Sequence, residues 1–251
     1  MAEAPGVPTV AEPTAVRWGI PSAIGALILT FTCAVIGQAV LLGVGGHAFE
    51  RQHIAWSILA YQFLAIGVLL SVILMVLLPY RARLQTLGFR FPGWSALALA
   101  AASVIVILFV VSGLVWFFNT FLPGYHIHGN ARELLPGKHQ HMPVLEQVGL
   151  VLWAAVEAPL VEETLFRGVV HQGIRHFFSR WLPRWAAVFI AAVLSGFLFG
   201  LAHGQIHTLP ILVLLGIILA YIFEATKSLY ASIVVHGLIN ALAVVNLLHG
   251  S

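Results

Sequence analysis

The chain has 251 residues, 60% of them hydrophobic and only 8% charged, with mean hydropathy +0.98. That excludes a soluble domain of this size and leaves an all-α, polytopic transmembrane helical bundle, because apolar runs of at least about 18 residues follow one another. The formal charge of +3 rests mainly on arginine, and in a membrane protein such an excess reads as topology and not as nucleic-acid binding.

Residues 1–18 have no basic segment followed by a short apolar run and a cleavage site, so they read as a disordered cytoplasmic tail and not as a signal peptide. A single membrane domain then fills 19–251, with generic spans over 19–122 and polar-bearing helices over 144–248. The first span covers 19–44 and the second 54–79, where Pro79 stops it. The lone Cys33 lies in the first of these, which rules out an intramolecular disulfide. A loop with Arg81, Arg83 and Arg90 leads to a third span over 94–122, in which Trp116 sits like an interfacial belt residue. A polar loop then carries His126, His128, His139 and His141, read as solvated and not as a metal site.

A long helical stretch over 144–178 follows, with Pro159 as a kink. After a basic segment from Arg175 to Arg184 come spans over 185–203, 208–223 and 228–248. The count is seven spans, or eight if Pro159 divides the long stretch. The basic loops fall on one side, and the positive-inside rule puts them and the N-terminus in the cytoplasm.

Three polar clusters interrupt the C-terminal spans. Glu162, Glu163 and Arg167 lie in an apolar run, where an ionised group costs about 2.5–3.5 kcal/mol on insertion scales unless paired or watered. Glu163 and Arg167 are i,i+4 neighbours and can pair. Glu162 lies about 100° around the helix and has no local cation. Glu157 points elsewhere and is given no role. His203 stands near the end of the 185–203 span, whereas His207, in the following turn, reads as a loop residue. His236 and Asn240 share one face of the last span. Glu224 and Lys227 flank a turn and read as interfacial anchors.

Counting outward from the turn near 179–185 puts Glu162 and His203 each about 25 Å up, hence at similar depth. The same count from a turn near Lys227 leaves His236 about 10 Å lower. A buried carboxylate beside an imidazole can take a proton from water and return it to a leaving amine. A second imidazole and an amide can donate to a developing oxyanion. The set points to hydrolysis of a carbonyl compound within the membrane.

Glu-Glu-x-x-x-Arg at 162–167, Phe-x-x-x-His at 199–203 and His-x-x-x-Asn at 236–240 resemble the three motifs of the CPBP family. That family comprises the type II CAAX prenyl endopeptidases and the bacterial Abi or bacteriocin-processing intramembrane proteases. The resemblance implies an intramembrane endopeptidase in a bacterial plasma membrane, whose partners are membrane lipid and a peptide or protein substrate. It implies Glu162 and His203 as the water-activating pair, His236 and Asn240 as oxyanion donors, and Glu163, Arg167 and Phe199 as supporting residues. No His-Glu-x-x-His helix occurs, so no metal is assigned; a catalytic zinc, if used, would take Glu162, His203 and His236.

Two other function classes fit the same polar clusters. A proton-coupled secondary transporter would use Glu162 and His203 as a relay, and a non-catalytic membrane scaffold would use the helices to bind a partner. Taken singly, the motifs also read as packing devices. The Glu163–Arg167 group can be an interhelical ion pair, and His236 with Asn240 can be hydrogen-bond glue.

Overall fold

A computed structural model describes residues 16–45, 53–122 and 143–249, which fold as helices and connecting turns. The four loop histidines His126, His128, His139 and His141, and residues 1–15 of the expected tail, lie outside the described residues. Helix α1 is Ile20–Gly45. Helix α2 is His53–Val72, continued by a π-helical turn Ile73–Leu77 and a last turn Leu78–Tyr80. A short α3, Leu84–Leu87, precedes α4, Trp94–Phe121. Then come α5 over Val144–Phe178, α6 over Arg184–Ala202, α7 over Leu209–Thr226 and α8 over Leu229–His249.

Seven of these are long and apolar enough to cross a membrane. Their apolar residues lie on all sides, so large side chains such as Ile28, Phe109 and Leu145 face outward as readily as inward. In hydrocarbon that arrangement carries no penalty, provided each helix satisfies its own backbone. Pro159 does not divide α5, which forms one span of 35 residues. The proline lacks an N–H and crowds the preceding turn, and a π-helical turn at Trp153–Glu157 relieves both demands just before it.

The second half of α5 is the centre of the bundle. Leu165, Phe166, Val169 and Val170 are buried there with Val72 and Val76 of α2, Phe199 of α6, Phe223 of α7 and Leu229 of α8. Trp18, included in the expected tail, belongs to this core. It is fully buried, and its indole N–H donates to the Val169 carbonyl at 3.0 Å. Helices α6 and α7 cross where two glycines meet, since a Cβ on Gly216 would lie 2.7 Å from the Gly196 Cα.

Among the described residues, the connections that carry Arg90 and Lys227 meet at one end of the bundle. The Arg90 Nε donates to the Lys227 carbonyl at 2.5 Å, and the Leu229 N–H to the Gly88 carbonyl at 2.8 Å. Gly173, near the end of α5, lies against Gly19 at the start of α1.

Candidate active site

Helix α5 carries the paired glutamates on a six-residue α-helical piece, Ala158–Glu163, with π-helical turns on both sides, Trp153–Glu157 and Thr164–His171. Widened turns of this kind turn neighbouring side chains out of α-helical register. Within the α-helical piece the adjacent Glu162 and Glu163 project about 100° apart and so meet different partners.

Glu163 and Arg167 form the anchored half. Both side chains are 0% exposed, and Nη1 of Arg167 donates to Oε1 of Glu163 at 2.8 Å. The guanidinium also donates from Nη2 to the Gly216 carbonyl of α7 at 2.9 Å and lies 4.7 Å from the Phe199 ring centre. One arginine thereby joins α5, α6 and α7. The same Glu163 oxygen meets Nδ1 of His236 at 2.9 Å, which adds α8.

Glu162 forms the open half. Its Oε2 is buried and makes no hydrogen bond. That atom lies 3.8 Å from Nε2 of His203 and 3.8 Å from Nε2 of His236. His203 is the C-cap of α6, and its Nδ1 donates to the Phe199 carbonyl at 2.8 Å. An Nδ1 turned to an acceptor carries the proton, so a neutral ring presents a bare Nε2. Both imidazoles are set in this way, and both Nε2 atoms face the free Glu162 oxygen. Side-chain exposure is 15% for Glu162 and 30% for His203, which leaves the gap open on the His203 side. Phe199 packs under the site, with ring centres 4.7 Å from His203 and 5.6 Å from His236.

Asn240 is placed differently. Its Nδ2 donates to the Ala154 carbonyl at 3.0 Å, in the first π-helical turn of α5. Gly237 allows this approach, because a Cβ there would lie 2.2 Å from the Ala155 carbonyl oxygen. One of the two amide hydrogens of Asn240 is thereby used.

Tyr61 of α2 is a site residue that motif reading missed. Its hydroxyl lies 3.3 Å from Oε1 of Glu162 and 3.2 Å from the Ala158 carbonyl, so it is the donor on the side of Glu162 away from the histidines. Beside it, Gln62 donates to Glu157 at 2.7 Å, which gives Glu157 a partner on α2. The adjacent Tyr61-Gln62 pair within an apolar span was the available signal. A second missed cluster lies at the basic end. Glu224 meets His171 at 3.1 Å and Arg175 at 3.1 Å, and Lys227 bonds to its other oxygen. Glu224 is therefore a core partner of α5 and not only an interfacial anchor.

In the zinc alternative, Glu162, His203 and His236 are spaced more widely than bound ligands would be. Among the described residues no group of three or more His, Cys, Asp or Glu side chains is arranged to hold a metal ion. Ligands bound about 2.0 Å from a tetrahedral zinc stand roughly 3.3 Å apart, closer than the 3.8 Å gaps at Glu162.

Neither the curated proteins nor the solved structures contain a match to this chain. A family match does exist, over residues 144–242, to the family described as Type II CAAX prenyl endopeptidase Rce1-like. The matched stretch contains all three motifs and every helix that supplies Glu162, His203 and His236. The C-terminal helices are therefore similar to that family of intramembrane proteases, and the seven long apolar helices make the chain an integral membrane protein.

Proposed function

We propose that the protein is an intramembrane endopeptidase that hydrolyses a peptide bond presented at or within the bilayer, using a water activated by Glu162 and His203. The observation that carries this reading is the convergence of a free Glu162 oxygen with the Nε2 atoms of His203 and His236, each at 3.8 Å. Three carbonyl-hydrolysis groups from three separate helices meet there, in an opening partly exposed at His203.

In the proposed step, a water donates one hydrogen to Glu162 Oε2 and the other to His203 Nε2. Glu162 takes a proton as the water oxygen bonds to the substrate carbonyl carbon. The negative charge moves to the carbonyl oxygen. The second amide hydrogen of Asn240 is the candidate donor to that oxygen, and Nε2 of His236 can join it only after the ring takes up a proton from solvent before the attack, Nδ1 remaining on Glu163. Collapse of the intermediate breaks the C–N bond, and the proton held by Glu162 passes to the leaving nitrogen. Arg167 neutralises Glu163, so that Glu163 serves as a fixed acceptor for His236. Tyr61 holds the opposite oxygen of Glu162.

The substrate class we infer is a protein with a membrane-presented cleavage site, either C-terminally prenylated or carrying a leader. Because the basic loops share one end with the start of α1, a cytoplasmic N-terminus in a bacterial plasma membrane is the matching orientation. Cleavage of fluorogenic peptides, with and without a C-terminal prenyl-cysteine, by the detergent-purified protein tests the reading. Glu162→Gln should abolish cleavage while leaving unfolding unchanged, and a chelator should have no effect. Loss of activity with chelator would overturn the metal-free mechanism. Wild-type cleavage by Glu162→Gln would overturn the role of Glu162. Proton-coupled uptake into vesicles that depends on Glu162 would replace the protease reading with that of a carrier.

A further inference from the structure

At the basic end of the bundle, remote from His203, a groove of about 810 Å³ lies between the first turns of α6 and the last turns of α7. Arg184, Trp185 and Phe189 line it from α6, and Tyr221 and Glu224 from α7. Its walls face outward: Trp185 is 74% exposed and Phe189 53%. In a membrane that exposure is to lipid.

Charge at this end is poorly balanced. Arg184 and Glu224 line the groove, and Arg175 and Lys227 both reach Glu224. Glu224 is already engaged by His171, Arg175 and Lys227. Arg184 pairs with no carboxylate among the described residues. Lys227 registers the crowding: burial first, and then the nearby Arg175 and Arg184, hold its ammonium below the usual lysine range despite Glu224.

An unpaired cation above an outward-facing aromatic groove has a natural complement in the bilayer. Basic pockets between spanning helices suit anionic headgroups, and tryptophan and tyrosine favour that depth. We propose that this groove binds an anionic phospholipid, with its phosphodiester on Arg184 and an acyl chain along Trp185, Phe189 and Tyr221. A soluble phosphate would satisfy the arginine but leave the aromatic wall uncovered. The lipid clasps α6 and α7 at the end opposite the glutamate-histidine site. Its binding does not depend on whether that site is catalytic.

Native mass spectrometry of the full chain in detergent tests this, with dioleoylphosphatidylglycerol and dioleoylphosphatidylcholine compared at equal concentration. Wild type should retain the anionic lipid about fivefold more strongly, in line with ~1 kcal/mol per cation near an anionic surface. Arg184→Gln should remove the preference, and Arg184→Lys should keep most of it. Glycerol 3-phosphate in millimolar excess should not displace the lipid. Equal retention of the two lipids by wild type would overturn the proposal without reference to any variant. An unchanged preference in Arg184→Gln would overturn the assignment to this groove, and displacement by glycerol 3-phosphate would indicate a soluble-anion site instead.

Discussion

Glu163→Leu tests whether the buried ion pair is a structural unit, and the structure sets the magnitude. The substitution leaves the Arg167 guanidinium fully buried, with only the Gly216 carbonyl at 2.9 Å and the face of Phe199 at 4.7 Å. Losing one partner of a buried pair costs about 3–5 kcal/mol. Arg167→Met strands the Glu163 carboxylate and should cost a similar amount. Replacing both removes the stranded charge along with the pair, and such apolar swaps are often neutral or stabilising. The double variant Glu163→Leu/Arg167→Met should therefore be near wild type in stability, with a coupling of ~3 kcal/mol or more in the double-mutant cycle. Unfolding in mixed micelles, followed by circular dichroism against the fraction of denaturing detergent, measures it. Cleavage should not recover with stability, because His236 Nδ1 has lost its acceptor at 2.9 Å. Loss of such an orienting partner lowers activity about 10–100-fold. A coupling below ~0.5 kcal/mol would refute the pair as a buried unit. Wild-type cleavage by the double variant would refute the role of Glu163 in orienting His236.

Other perturbations probe the parts around this pair. Tyr61→Phe removes the donor to Glu162 Oε1 and should lower kcat about tenfold, with KM little changed, as for one hydrogen bond to a charged group; unchanged steady-state kinetics would remove Tyr61 from the site. Gly237→Ala places a methyl 2.2 Å from the Ala155 carbonyl oxygen, so it should destabilise by about 1–3 kcal/mol and reduce cleavage. Retention of full activity by that variant would show that α8 need not approach α5 so closely. Trp18→Ala empties a fully buried position and deletes its bond to Val169, with an expected loss of about 3–5 kcal/mol in the same unfolding assay. A stability change within ~0.5 kcal/mol would return Trp18 to the tail.

Much of this was legible because hydrocarbon makes polar residues conspicuous. Glu162, Glu163, Arg167, His203 and His236 stand out in apolar spans, and their depth could be counted from the turns for the first two helices. The Glu163–Arg167 pairing followed from i,i+4 spacing alone, and the structure has it at 2.8 Å. Tyr61 was less visible because a single tyrosine in a span is ordinary at an interface. Only its position opposite Glu162, set by how α2 lies on α5, gives it meaning. Trp18 was hidden by its neighbours: a polar, proline-rich stretch reads as tail until its last aromatic is seen to fill a gap beside Val169. For Glu224 the missing information was likewise tertiary, since His171 and Arg175 lie on a different helix.

The misjudged depth of His236 has a physical cause that bears on how the site is built. Counting residues assumes that each turn between spans lies at the membrane surface and that each helix rises uniformly. Neither assumption holds. The Leu229 N–H bonds to Gly88, and a Cβ on Gly168 would lie 3.5 Å from the Leu229 side chain, so α8 starts level with Gly168 and not with the turn that ends α5. From that recessed start, one further turn and a half to two turns of helix, about 10 Å, bring His236 up to Glu163. That rise already matches or exceeds the five residues of α5 that separate Gly168 from Glu163, at most about 7.5 Å. The π-helical turn Thr164–His171 shortens the α5 side still further and so does not help His236 reach the glutamates. The recessed start of α8 alone removes the shortfall, and it sets the depth at which His236 meets Glu163.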